Sequence, residues 1–262
     1  MDMAIINLEY YSEVLGMNRN VKIIYPEASK VSGFKNTDIP VLYLLHGMSG
    51  NENSWLARTG LDRLVRHTNI AIIMPSTDLG FYVNTTYGMN YFDAIAIELP
   101  KVIQNFFPNL STKRDKNFIA GLSMGGYGAF RLGLGTNHFS HIASLSGVLT
   151  FNGMEGRFEE NPEYWGGIFG TWEQFKNSDN EILALAARAR KQEEKPKLYV
   201  WCGEQDELFS GNEFAVSELK RFGYDTTYEK SSGTHDWYYW TKYIEEVLKW
   251  LPINYVQEER LI

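Results

Sequence analysis

Five short apolar runs, each stopped by a turn-forming residue, constrain this chain more than any other feature. Residues 40–45 end at His46-Gly47, 70–74 at Pro75, 118–120 at Gly121, 142–145 at Ser146-Gly147 and 198–202 at Gly203. Each run is too short for a buried helix and lacks polar alternation, which is the pattern of a strand covered on both faces. Residues 61–67, 91–106, 125–134, 212–222 and 239–251 carry apolar residues at helical spacing between these runs. Strands alternating with helices predict an α/β architecture, a mostly parallel sheet with helices on both faces. In such sheets ligands bind beyond the carboxyl ends of the strands, so the chemistry is expected where the apolar runs stop.

Three segments depart from that rhythm. Residues 5–11 and 21–25 flank Leu15-Gly16-Met17-Asn18 and read as a hairpin. Residues 31–38 form a polar loop, and 226–229 a more polar strand near a sheet edge. Residues 151–180, with Tyr164, Trp165, Phe169 and Trp172, read as a cap-like insertion of short helices over the strand ends. At 262 residues and 44% hydrophobic content the chain suits one domain spanning 1–262. A net charge of −7 opposes binding to nucleic acid or an anionic membrane surface. Cys202 is the one cysteine, so no intrachain disulfide and no cysteine-rich zinc motif is expected. The N-terminal residues lack a basic leader segment, and no apolar stretch approaches the roughly 18 residues of a membrane span. A cytoplasmic protein is expected.

Gly121-Leu122-Ser123-Met124-Gly125-Gly126 follows a predicted strand and opens a predicted helix. That is the context a G-x-S-x-G elbow requires. The turn is so tight that side chains at 121 and 125 would collide, hence two glycines. It exposes the Ser123 hydroxyl and sets the Met124 N–H at the positive end of a helix. A serine hydroxyl is a weak nucleophile and needs a base. In the expected order of Ser, then acid, then His, only His235 follows every candidate acid. His46 belongs to a different motif, His67 falls late in a helix, and His138 and His141 flank a strand. Of the acids after the strand at 198–202, Asp206 leaves room for the chain to turn, Glu204 sits too close to Gly203, and Glu207 is the fallback. Asp236 neighbours His235 and would diverge from it. His46-Gly47-Met48 ends another strand, and a glycine there lets backbone approach a substrate oxygen. The N–H groups of Met48 and Met124 are therefore the expected oxyanion donors, with His46 bracing the loop.

Leu45-His46-Gly47-Met48-Ser49-Gly50, the Ser123 elbow, Cys202-Gly203-Glu204-Gln205-Asp206 and His235-Asp236-Trp237-Tyr238-Tyr239-Trp240 occur together and in that order. The set resembles the esterase D-like branch of the α/β-hydrolases, most of all the bacterial tributyrin esterases, over nearly the whole chain. The resemblance implies an α/β-hydrolase fold, a serine carboxylesterase acting on short acyl chains, no cofactor and no metal, and a triad of Ser123, Asp206 and His235. One departure weakens the thioester reading: formylglutathione hydrolases usually carry a Cys shortly after the His-Gly loop, where Ser49-Gly50-Asn51 stands here.

The expected partners are a small ester and water. Trp165, Phe169, Trp237 and Trp240 are candidate walls of a small acyl pocket, and packing in the core or cap is the competing role for each. Exposed aromatics in the insertion would permit a homo-oligomer. A carbohydrate deacylase (acetyl or feruloyl), an S-formylglutathione hydrolase-like thioesterase, and a non-catalytic binding protein on the same scaffold are the rival readings.

Overall fold

The computed structural model describes residues 3–31 and 33–257. Met1 and Asp2 of the predicted leaderless terminus, Ser32 of the polar loop, and 258–262 of the predicted domain lie outside the described residues. β1 (Ala4–Ser12) and β2 (Met17–Tyr25) form the hairpin, in register from Ala4↔Tyr25 to Ser12↔Met17. Met17 and Asn18, read from sequence as turn, already pair with β1, so the turn is residues 13–16. Its backbone is satisfied from outside: Glu13 and Val14 donate N–H bonds to the Glu98 carboxylate, and Leu15 donates to Ser12 Oγ.

The rest of the chain alternates: β3 (Val41–Leu45), α1 (Ser54–Arg58), α2 (Leu61–Val65), β4 (Ala71–Pro75), α3 (Tyr91–Asp93), α4 (Leu99–Phe106), β5 (Asn117–Leu122), α5 (Met124–Gly135) and β6 (His141–Leu145). After the insertion helices α6 (Glu155–Glu160), α7 (Pro162–Phe169), α8 (Trp172–Lys176) and α9 (Ile182–Ala189) come β7 (Lys197–Gly203), α10 (Phe209–Arg221), β8 (Thr226–Ser231) and α11 (Trp237–Trp250). The strands form one sheet in the order β1-β2-β4-β3-β5-β6-β7-β8, parallel from β4 to β8, with β8 at an edge as its polarity predicts. The helix predicted over 91–106 is interrupted: Ala94–Glu98 winds as a π-helix between α3 and α4. Pro100, which has no N–H to give a normal turn, lies just beyond it.

The apolar runs are unbroken because both faces are covered. Leu42, Leu44, Ile72, Phe118, Ala120 and Trp201 pack with Trp55 of α1, Leu61 of α2 and Ile244 of α11. Their neighbours Val41, Tyr43, Ala71, Ile119 and Val200 face Leu99 of α4, Phe130 of α5 and Val216 of α10. Burial of each Val, Leu, Ile or Phe side chain among them contributes about 1.5–3 kcal/mol.

The insertion carries the short helices α6 to α8, and its aromatic residues take the packing role rather than lining a pocket. Trp165 and Phe169 are 8% and 4% exposed, within ring contact of Phe81, Phe151 and Phe158. Tyr164 and Trp172 are half-buried. The insertion's aromatic residues therefore fasten it to the body. Thr86 and Tyr87 reach it from the loop before α3, donating to Gly166, Gly167 and Ile168 carbonyls.

His141 begins β6 with its ring edge-on to Phe118 and Trp250 and its Nδ1 bonded to Ser140 Oγ at 2.9 Å. Burial first, then the Lys197 and Arg114 charges, push it down from 6.5 to about 4. Between those values the unfolded chain binds a proton that the folded chain does not. The stability is complete above the unfolded pKa and is lost as pH falls from 6.5 towards 4. Because the ring is partly exposed, the expected loss is about 1–2 kcal/mol. Urea unfolding of His141→Gln should show a correspondingly flatter pH dependence than the parent. Parallel curves would contradict the assignment.

Candidate active site

β5 and β3 lie side by side at the reversal of strand order, and both point their carboxyl ends at one crevice. Ser123 sits between β5 and α5 with φ 51° and ψ −120°, a conformation costly for a residue with a side chain. Such strain persists only where the surroundings enforce it, and here glycines allow that enclosure. A Cβ on Gly121 would lie 2.2 Å from the Gly125 carbonyl oxygen. One on Gly125 would lie 2.5 Å and 2.6 Å from the carbonyl oxygens of Leu45 and His46. The second glycine is therefore demanded by β3 and the turn after it, not by Gly121 alone.

Ser123 Oγ lies 3.0 Å from His235 Nε2, and His235 Nδ1 lies 2.9 Å from Asp206 Oδ2. The imidazole comes from the loop between β8 and α11, and the carboxylate from the loop after β7. Asp206 is the buried acid of its loop; Glu204 and Glu207 are exposed. Burial raises its pKa, but bonds from His235, the Leu208 N–H and Ser146 more than offset this and hold the carboxyl below its usual value. Asp236 faces elsewhere, accepting from Thr234 Oγ1 and capping α11 through the Tyr238 N–H. With the acceptor fixed at Asp206, Nδ1 carries the proton and Nε2 is free to take one from Ser123. Such a line lets an imidazole deprotonate a hydroxyl as it attacks an electrophile.

The loop after β3 runs against the serine: a Cβ on Gly47 would lie 3.4 Å from Ser123 Cβ. Met48 follows on the exposed side of that loop, and Met124 opens α5, where helix N–H groups have no intrahelical partner. His46 is buried beneath them. Its Nε2 accepts from the Thr77 N–H at 3.2 Å, so its Nδ1 donates to the Gly47 carbonyl at 2.7 Å. Tyr82 Oη donates to the His46 carbonyl at 2.9 Å, and burial holds the His46 ring below its usual pKa, hence neutral.

A cavity of about 370 Å³ opens over Ser123 between the Gly47–Gly50 loop and the face of α11. Trp237 and Trp240 line it, while Trp165 and Phe169, the other two candidate walls, sit in the buried insertion cluster and do not. The structure adds residues that sequence reasoning missed. Ser146, also at positive φ (51°), accepts from Trp240 Nε1 at 3.2 Å and bonds to Asp206. Gln205 ties the acid loop to the histidine loop: its N–H donates to the Gly233 carbonyl, and its Oε1 accepts from the Gly233 N–H at 2.7 Å and Ser232 Oγ at 3.0 Å. Position at a strand end was the one available signal for Ser146; Gln205 carried none. Among the described residues no group of three or more His, Cys, Asp and Glu side chains is gathered where a metal ion could be held, and no helix is long and apolar enough to cross a membrane.

Residues 12–251 match the Esterase family, described as "Putative esterase". The acetyl esterase of Caldicellulosiruptor saccharolyticus is 33% identical over an alignment 262 positions long that covers 95% of this chain and 98% of that protein. Among solved structures, the substrate-bound fluorophosphonate-binding serine hydrolase FphF of Staphylococcus aureus is 33% identical, with a TM-score of 0.85 over 95% of this chain and 98% of its own. The S-formylglutathione hydrolase FrmB of Staphylococcus aureus, in its apoenzyme form, is also 33% identical, with a TM-score of 0.83 over the same shares, 95% and 98%. A ferulic acid esterase at 22% identity and a TM-score of 0.79 shares the fold.

Proposed function

The chain belongs to the Esterase family and is a serine esterase, a hydrolase of carboxylic esters; from that premise we propose that Ser123 is its nucleophile, His235 its general base and acid, and Asp206 the group that orients His235. The observation that carries this reading is the unbroken hydrogen-bonded line from Ser123 Oγ through the imidazole to Asp206. His235 Nε2 takes the Ser123 proton as Oγ attacks the ester carbonyl carbon. The resulting oxyanion accepts from the Met48 and Met124 N–H groups, each worth about 2.7–4 kcal/mol in such holes. His235 then protonates the departing alkoxide, leaving an acyl-serine. Water attacks the acyl carbon by the same route, and the carboxylic acid leaves with Ser123 restored.

Short acyl chains are the proposed substrates. The likeness to an acetyl esterase supports this. Residues 151–180 act as a fixed cap on a single domain. A series of 4-nitrophenyl esters from acetate to laurate should give the highest kcat/KM among acetate, propionate and butyrate; a maximum at octanoate or beyond would contradict a short-chain site. The identity to FrmB favours a thioesterase as the second reading. Acetylated sugars, feruloyl esters and S-acyl thiols compared with 4-nitrophenyl acetate separate these uses of one acyl-enzyme.

Gln205 holds the histidine loop through bonds on both of its faces, so its side chain fixes where the imidazole sits. Gln205→Ala should lower kcat about tenfold with little change in KM, the signature of a loosened base rather than lost binding. An unchanged kcat would remove it from the machinery.

A further inference from the structure

We propose that Arg58 selects esters whose leaving alcohol carries a negative charge several bonds from the scissile oxygen. The inference rests on the proposed roles of Ser123 and His235 and adds the substrate's leaving side to them. To protonate the leaving oxygen, His235 Nε2 must face it, so the alcohol departs along the imidazole. From that ring a wall of indoles leads outward. Trp240 meets the imidazole edge-on with centroids 4.9 Å apart, and Trp237 meets Trp240 at 5.4 Å. The Arg58 guanidinium carbon then lies 5.6 Å from the Trp237 ring centroid. Among the described residues lining the cavity, Arg58 is the one lysine or arginine.

The wall is held from behind at both indoles. Trp240 is anchored by its Nε1–H bond to Ser146 Oγ at 3.2 Å. Trp237 packs edge-on against Trp55, whose Nε1 donates to the Leu45 carbonyl at 3.0 Å. A guanidinium within cation–π reach of an indole can still turn its N–H fork to a carboxylate or phosphate. The acid at the same rim, Asp236, has its oxygens taken by Thr234 and the start of α11. In a chain of net charge −7, attraction for an anion must be local, and Arg58 supplies it at the cleft itself.

The test compares kcat/KM for 4-acetoxybenzoate with that for its uncharged methyl ester, in the parent, Arg58→Gln and Arg58→Lys. The anionic-to-neutral ratio should fall about tenfold in Arg58→Gln, with Arg58→Lys between the two. A matching pair with the charge on the acyl side, 4-nitrophenyl hemisuccinate and its methyl ester, should show no such fall. An anionic-to-neutral ratio for acetoxybenzoate that Arg58→Gln does not move overturns the inference, as does a fall seen on the acyl side instead. Hydrolysis of the methyl ester that survives Ser123→Ala would overturn the underlying reading of Ser123 rather than the assignment of Arg58.

Discussion

Ser123→Ala should lower kcat for 4-nitrophenyl acetate by about 10⁶, close to the background rate, as loss of the nucleophile does in other serine hydrolases. The expected size follows from the geometry. Ser123 Oγ is the atom that His235 Nε2 reaches, at 3.0 Å, and the atom that would carry the acyl group, so its loss removes the covalent route. The fold should tolerate the change. Alanine removes one hydrogen bond, worth about 1 kcal/mol, and at φ 51° it is no worse placed than serine. A variant that folds yet keeps more than about one part in a hundred of the parent rate would contradict the role given to Ser123.

Asp206→Asn should lower kcat by about 10⁴, by analogy with the acid of other triads. The carboxylate accepts from His235 Nδ1 at 2.9 Å and from the Leu208 N–H at 2.9 Å. An amide at this position can turn an N–H towards the ring, which reverses the tautomer and leaves Nε2 protonated and unable to accept from Ser123. Because its bonds outweigh burial and hold Asp206 below the usual carboxylate range, it stays charged through mildly acidic pH. Acid inactivation near neutrality is then not expected to come from this group. A loss of less than about tenfold would shift the orienting role away from Asp206. Exposed Glu207 would be the next candidate.

The sheet was legible because its strands are buried on both faces, which leaves apolar runs with no alternation to misread. Their ends were less so. The strand at 118–120 was expected to stop at Gly121, yet β5 continues to Leu122 because Gly121 pairs with Leu45 on one side and Ser144 on the other. A glycine needed for close approach looks in sequence like a glycine needed for a turn. In the same way, α10 begins at Phe209, before the predicted start at 212, because Ser210-Gly211 reads locally as loop.

Ser123, His235 and Asp206, which the structure brings into one hydrogen-bonded line, could be picked out because each stands at a strand end in a fixed order. The aromatic residues could not be sorted. Trp165 and Trp237 are alike in sequence, and what separates them is a set of distant partners: Phe81 and Phe151 bury the first, while Arg58 and the cavity face the second. Gln205 and Arg58 are single polar residues with no pattern around them. Gln205 takes its meaning from the histidine loop brought against its own, and Arg58 from the indole of α11 brought against the end of α1.

Peptide mapping by mass spectrometry after treatment with a fluorophosphonate tests the central claim most directly. The native protein should gain one phosphonyl group, on Ser123, with ester hydrolysis falling in step, and Asp206→Asn should label far more slowly. A native protein that hydrolyses esters while its Ser123 peptide stays unmodified, or one inactivated through a different serine such as Ser146, would contradict it.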